Sequence, residues 1–103
     1  MSTENIPNEK ELWASIPRSE GVDRAEHFVT LSHMAYDRGD FKSALALCES
    51  AREIYESHKA TVGTQALLHV YEGITWSLRK LDREAEAAEL ALHAVDILKE
   101  DSP

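Results

Sequence analysis

The sequence predicts an all-α chain: two helix–turn–helix hairpins of one repeat type, preceded by a short N-terminal helix. Three observations predict it. Shifting the chain by about 43 residues lays the stretch 28–55 on 71–98. Phe28 then falls on Tyr71, Leu31 on Ile74, Ala44 on Ala87, Leu47 on Leu90, Ala51 on Ala94, Ile54 on Ile97, and the hydroxyl of Ser32 on that of Thr75. Inside each unit the apolar residues recur at three and four positions, the spacing of one helix face. A period in this range with helical spacing within it signals stacked two-helix units. Finally, three prolines and four glycines leave room for long helices, and the β-branched residues are too scattered to build strands.

The elements follow in order. Residues 1–7 are polar and end in Pro7, so a flexible tail is expected. Asn8 followed by Glu11 reads as a helix cap with its reciprocal partner. A short helix is expected over 9–16 and is stopped by Pro17. Leu12, Trp13 and Ile16 give it an apolar face, and Trp13 is expected to pack on the first repeat. The first repeat spans 22–58, with helices at 22–37 and 41–58. Arg38-Gly39-Asp40 breaks between them: Gly39 is free to take positive φ, and Asp40 is a cap. Residues 59–64 hold Gly63 and two threonines, which suits a turn between repeats. The second repeat covers 62–100, with helices at 65–80 and 83–100. There Leu81-Asp82 replaces the glycine turn, with Asp82 as the expected cap. Alanines on the third and fifth helices let helix axes approach closely. Gly73, inside the fourth helix, costs about 1 kcal/mol against alanine, which points to close packing on a neighbouring helix or, alternatively, to a hinge or ligand contact.

At 103 residues the chain makes one helical domain, 8–103, with a modest core. The net charge of −8 argues against a nucleic-acid partner, which needs clustered Lys and Arg, and disfavours an anionic membrane surface. No secretory signal is expected and no apolar run is long enough to span a bilayer. Cys48 is the only cysteine; with no internal disulfide to make, the chain is expected in a reducing cytoplasm.

The first unit reads Phe28-x-x-Leu31-Ser32, then Gly39-Asp40-Phe41-x-x-Ala44, then Ala51; the second reads Tyr71-x-x-Ile74-Thr75, then Asp82, Ala87 and Ala94. In this pattern, strongest over AYDRGDFKSALALCESAREIYE, the chain resembles the tetratricopeptide repeat family. The resemblance runs over residues 25–100. It departs where the family's first-helix glycine is Ser32 or Thr75, where its tyrosine is Ala35 or Leu78, and where the closing proline is Glu56 or Lys99. The period exceeds the family's usual value of about 34 residues, as in its long-helix variety.

The resemblance implies that the first helix of each unit lines a concave surface for an extended peptide or a partner's helix. Carried over, that surface presents Val29, His33, Tyr36 and Asp37, beside Glu26, from the first unit. The second contributes His69, Glu72, Trp76, Arg79 and Lys80. Trp76 is either an interaction hot spot, with Arg79 gripping a carboxylate beside it, or core beneath the N-terminal helix. Val29 and His33 stand where the family's clamp for acidic chaperone tails needs Lys and Asn, so that specificity is not expected.

A second surface lies on the last helix. Glu86, Glu89, His93, Asp96 and Glu100 form a narrow polar stripe and nearly everything else is apolar. Terminal repeats normally carry a polar outer face. Leu92, Val95 and Leu98 are therefore expected to stay exposed and to serve self-association or a partner, unless the N-terminal helix and tail fold over them.

Nothing in the chain assembles catalysis. The five histidines form no metal-ligand spacing, so no metal and no cofactor is expected. Cys48 lies on an apolar stripe and reads as an inert core thiol. No phosphate loop or nucleophile elbow occurs, and no catalytic residue is assigned. The leading expectation is a non-enzymatic module binding a protein or peptide. The alternatives are a structural homo-oligomer joined through the C-terminal repeat, and a small dedicated chaperone for a secreted or assembling subunit.

Overall fold

The computed structural model describes residues 8–101, and all of their regular structure is helical. The tail expected at 1–7 lies outside the described residues. Five α-helices follow one another: α1 (Glu9–Ser15), α2 (Gly21–Asp37), α3 (Phe41–Ser57), α4 (Lys59–Lys80) and α5 (Glu84–Asp101), with a 3-10 turn at Ile16–Arg18. Each helix from α2 onward packs on the next, α1 packs on α2, and α2 also touches α4. No helix among the described residues is long and apolar enough to cross a membrane.

The start of α1 is fixed by a reciprocal pair of hydrogen bonds. The Glu11 amide donates to Asn8 Oδ1 at 2.8 Å, and the Asn8 amide donates to Glu11 Oε1 at 3.3 Å. Two expectations for this segment are corrected. The α-helix ends at Ser15, and Pro17 continues the chain inside the 3-10 turn. Proline lacks only the N–H that a first turn leaves unused, so it is tolerated there. And Leu12, not Trp13, is the anchor. Leu12 packs among Leu31, Ala35, Ala44 and Leu47, whereas Trp13 stays 47% exposed. Leu12, Ser15 and Ile16 share one face of the short helix. Trp13 sits about 100° around from Leu12, off that face.

The two interhelical turns are built alike. At 38–40, Gly39 takes φ +85° and the Asp40 amide donates to the Ala35 carbonyl at 2.9 Å. At 81–83, Asp82 takes φ +61° and the Arg83 amide donates to the Leu78 carbonyl at 2.9 Å. Both are helix ends closed by one left-handed residue. Asp40 then caps α3, its Oδ1 accepting from the Ser43 amide at 3.3 Å. Asp82 was expected as the cap of α5; it instead fills the left-handed position that glycine fills in the first turn, and α5 begins at Glu84. Reversing the chain needs one residue of positive φ, and aspartate tolerates it better than most. Residues 59–62 coil helically where a turn was expected, but Gly63 (φ 80°, ψ 172°) breaks α4 just before the helix proper.

The core runs along α3 and α4 through Leu45, Cys48, Tyr55, Leu67, Tyr71 and Ile74. Alanines 25, 35 and 51 are fully buried at the helix contacts, where small side chains bring axes together. Gly73 extends this logic, because a Cβ there would lie 3.0 Å from Cys48 Sγ. Among the described residues of α5, Ala87 and Ile97 are buried and Leu90 and Ala94 partly so.

Candidate functional site: a cleft between α2 and α4

A cleft of about 330 Å³ lies between α2 and α4. One wall is α2, through His33, Tyr36 and Asp37; the other is α4, through His69, Glu72 and Trp76. Those spacings of three and four put each set on one helix face. The floor is Ala44 and Cys48 of α3 together with Gly73 and Ser77 of α4. The missing side chain at Gly73 lets α4 settle against Cys48 and leaves the floor low.

The walls are largely aromatic. His33 and His69 meet edge to face across the gap, ring centroids 5.4 Å apart. Tyr36 is braced edge-on by Phe41 at 5.0 Å. Trp76 is 47% exposed, so it is not core beneath the N-terminal helix, whose Leu12 packs elsewhere. Asp37 and Glu72 are among the lining residues, and among the described residues neither has an ion-pair partner. Ser77 is 1% exposed and its Oγ has no hydrogen-bond partner.

Of the ten residues expected to form the groove, His33, Tyr36, Asp37, His69, Glu72 and Trp76 come together here, and Glu26 does not line the cleft. Val29 turns inward against the core. Arg79 leaves the cleft for Glu84 at the start of α5, Nε to Oε1 3.8 Å. Lys80 stands over the Phe41 ring at 5.8 Å. The floor residues Ser77 and Cys48 were missed as cleft residues; the signals were a serine on the apolar stripe of α4 and the mid-helix Gly73 facing it one turn earlier. Burial pushes the Cys48 thiol above its ordinary pKa, with the Glu49 charge adding to the effect against a hydrogen bond from Ser32. A neutral, buried thiol is a poor nucleophile. Among the described residues no group of three or more His, Cys, Asp or Glu side chains is placed to hold a metal ion.

On the opposite side of α4, Tyr71 donates its hydroxyl hydrogen bond to Glu56 Oε2. Arg52 sits 5.9 Å from the Tyr71 ring centroid and His93 stacks at a tilt at 5.5 Å. Burial first, then the neighbouring Glu56 carboxylate, holds the Tyr71 hydroxyl well above the usual tyrosine pKa. These contacts join α3, α4 and α5, and the seam carries two clefts of its own, one of about 310 Å³ beside Arg52, Glu89 and His93 and one of about 280 Å³ beside Glu56, Tyr71 and Glu100.

On α5 the expected end-face is exposed: Leu92 at 69%, Leu98 at 50% and Val95 at 45%. Compared with protein-family models, curated proteins and solved structures, the chain matches none.

Proposed function

We propose that this protein is a non-enzymatic interaction module of two tetratricopeptide-like hairpins, binding an extended peptide or partner segment in the cleft between α2 and α4. The observation that carries the reading is Trp76, a large aromatic left half in solvent at the wall of an open, mostly apolar cleft. A tryptophan in that position costs solubility unless something covers it, and partly buried aromatics are the usual anchors of binding energy. The matched turns at 38–40 and 81–83, 43 residues apart, support the hairpin-pair reading.

A second reading, favoured by the exposed leucines of α5, is self-association through Leu92, Val95 and Leu98. Leu92 and Val95 lie one turn apart on α5, 69% and 45% exposed.

Two double variants separate these readings. Trp76→Ala with Tyr36→Ala alters the cleft wall; Leu92→Glu with Leu98→Glu alters the end-face. Captured partners are expected to disappear with the first and persist with the second. Light scattering on size-exclusion fractions is expected to report monomer for the second pair if wild type is a dimer. A monomeric wild type sinks the self-association reading, and capture indifferent to the cleft pair sinks the module reading.

A further inference from the structure

We infer that the cleft is built to take one basic side chain, an arginine, from an extended partner segment; this rests on the cleft being the binding site. Charge is the first argument. Asp37 and Glu72 line the cleft and stay without ion-pair partners among the described residues, while Arg79 is committed to Glu84 and Lys80 lies over Phe41. No lysine or arginine lines the cleft. An acidic segment would therefore meet carboxylates and nothing to neutralise it, in a chain already at net charge −8.

Shape and surface chemistry narrow the choice. A cleft of about 330 Å³ admits a single long side chain and not the row of anchors that a docked helix presents. The apolar walls suit an aliphatic stem, and the Trp76 face suits a planar cation lying across it. Two carboxylates at the cleft match a guanidinium, which has five N–H donors in a fixed fork.

The test uses the full chain, labelled for amide nuclear magnetic resonance, and three capped pentapeptides Ala-Gly-Xaa-Gly-Ala with Xaa arginine, norleucine or glutamate. The arginine peptide is expected to shift the Trp76 indole N–H and the Gly73 amide. It should bind about fivefold more tightly than the norleucine peptide, the upper range for a half-exposed ion pair. Asp37→Asn with Glu72→Gln should erase that margin while leaving helicity unchanged; both side chains are exposed, so the fold does not depend on them. Equal binding of arginine and norleucine, or tighter binding of glutamate, overturns the basic-side-chain inference and leaves the cleft as a binding site. So does a cleft silent to all three peptides while partner capture still depends on Trp76. Loss of that dependence overturns the module reading itself.

Discussion

The first and last helices of this molecule do the same geometric job with opposite results. Helix α1 ends the stack on one side and closes it: Leu12 buries itself between α2 and α3. Helix α5 ends the stack on the other side and leaves it open: Leu92, Val95 and Leu98 face outward. The difference comes from where the apolar residues fall. On α5 one row, Ala87, Leu90, Ala94 and Ile97, meets α4, and a second row, with Leu92 and Val95, is exposed. A helix apolar on two faces needs two neighbours.

The widest gap between the two regions is energetic. Leu31→Ala, in the core that α1 closes, should cost about 3 kcal/mol through lost burial and a residual cavity. Leu92→Ala, on the open face, should change stability by less than about 0.5 kcal/mol. Urea denaturation of both variants measures the contrast. Equal costs would mean that α5 is already covered in solution, and would favour self-association.

Alkaline pH probes the seam that holds α5 to α4. The hydroxyls of Tyr55 and Tyr71 both have raised pKa, each through burial first, with Glu26 adding to Tyr55 and Glu56 to Tyr71. A folded pKa above the unfolded one contributes stability that is complete below about pH 10, the unfolded tyrosine value, and is lost as pH climbs toward the folded value. Absorbance at the tyrosinate band should therefore rise for these two side chains only as helicity falls. Tyr71→Phe should move the alkaline transition upward. An unmoved transition would show that Tyr71 ionises without opening the seam.

Gly73 tests why the cleft floor is low. A methyl at 73 gains helix propensity of about 1 kcal/mol but would lie 3.0 Å from Cys48 Sγ. Cys48 is buried between α3 and α4 and has little room to yield. Gly73→Ala should destabilise by about 1 kcal/mol, and adding Cys48→Ala should recover most of it. A double-mutant cycle reads the coupling directly. Additive costs would mean that the helices do not touch through this pair.

The periodicity carried much of this fold in the open. Helix spans, the reciprocal cap of Asn8 and Glu11, and the positive φ of Gly39 follow from local chemistry, and local chemistry is legible one residue at a time. The size of Trp13 does not tell its direction, which on a helix of seven residues is set by the neighbours that Leu12 and Ile16 find. Asp82 was read as a cap because aspartate favours both roles, and only the path of the chain chooses between them. In the cleft, the α2 and α4 walls follow from spacing. The loss of Arg79 and Lys80 to Glu84 and Phe41 does not, because those partners lie across a turn whose geometry the sequence leaves open.

The finest comparison is between the two turns, which differ chiefly in the residue at the left-handed position. Gly39 carries φ +85° at no steric cost, and a Cβ there would meet nothing within 4 Å. Any cost of replacing it is therefore backbone strain alone. Asp82 holds φ +61° with a Cβ, and its carboxylate also sits at the end of α4, where the helix dipole disfavours negative charge. Exchanging the residues should move stability in opposite directions: Gly39→Asp down by about 1 kcal/mol, Asp82→Gly up by about 0.5 kcal/mol. The gain is the smaller of the two because glycine also loosens the unfolded chain. Asp82→Asn removes the charge and keeps the Cβ, so it divides the gain between strain and dipole. Thermal melts of the three variants decide it. A stabilising Gly39→Asp, or a destabilising Asp82→Gly, would mean that the two turns are not closed by the same backbone device.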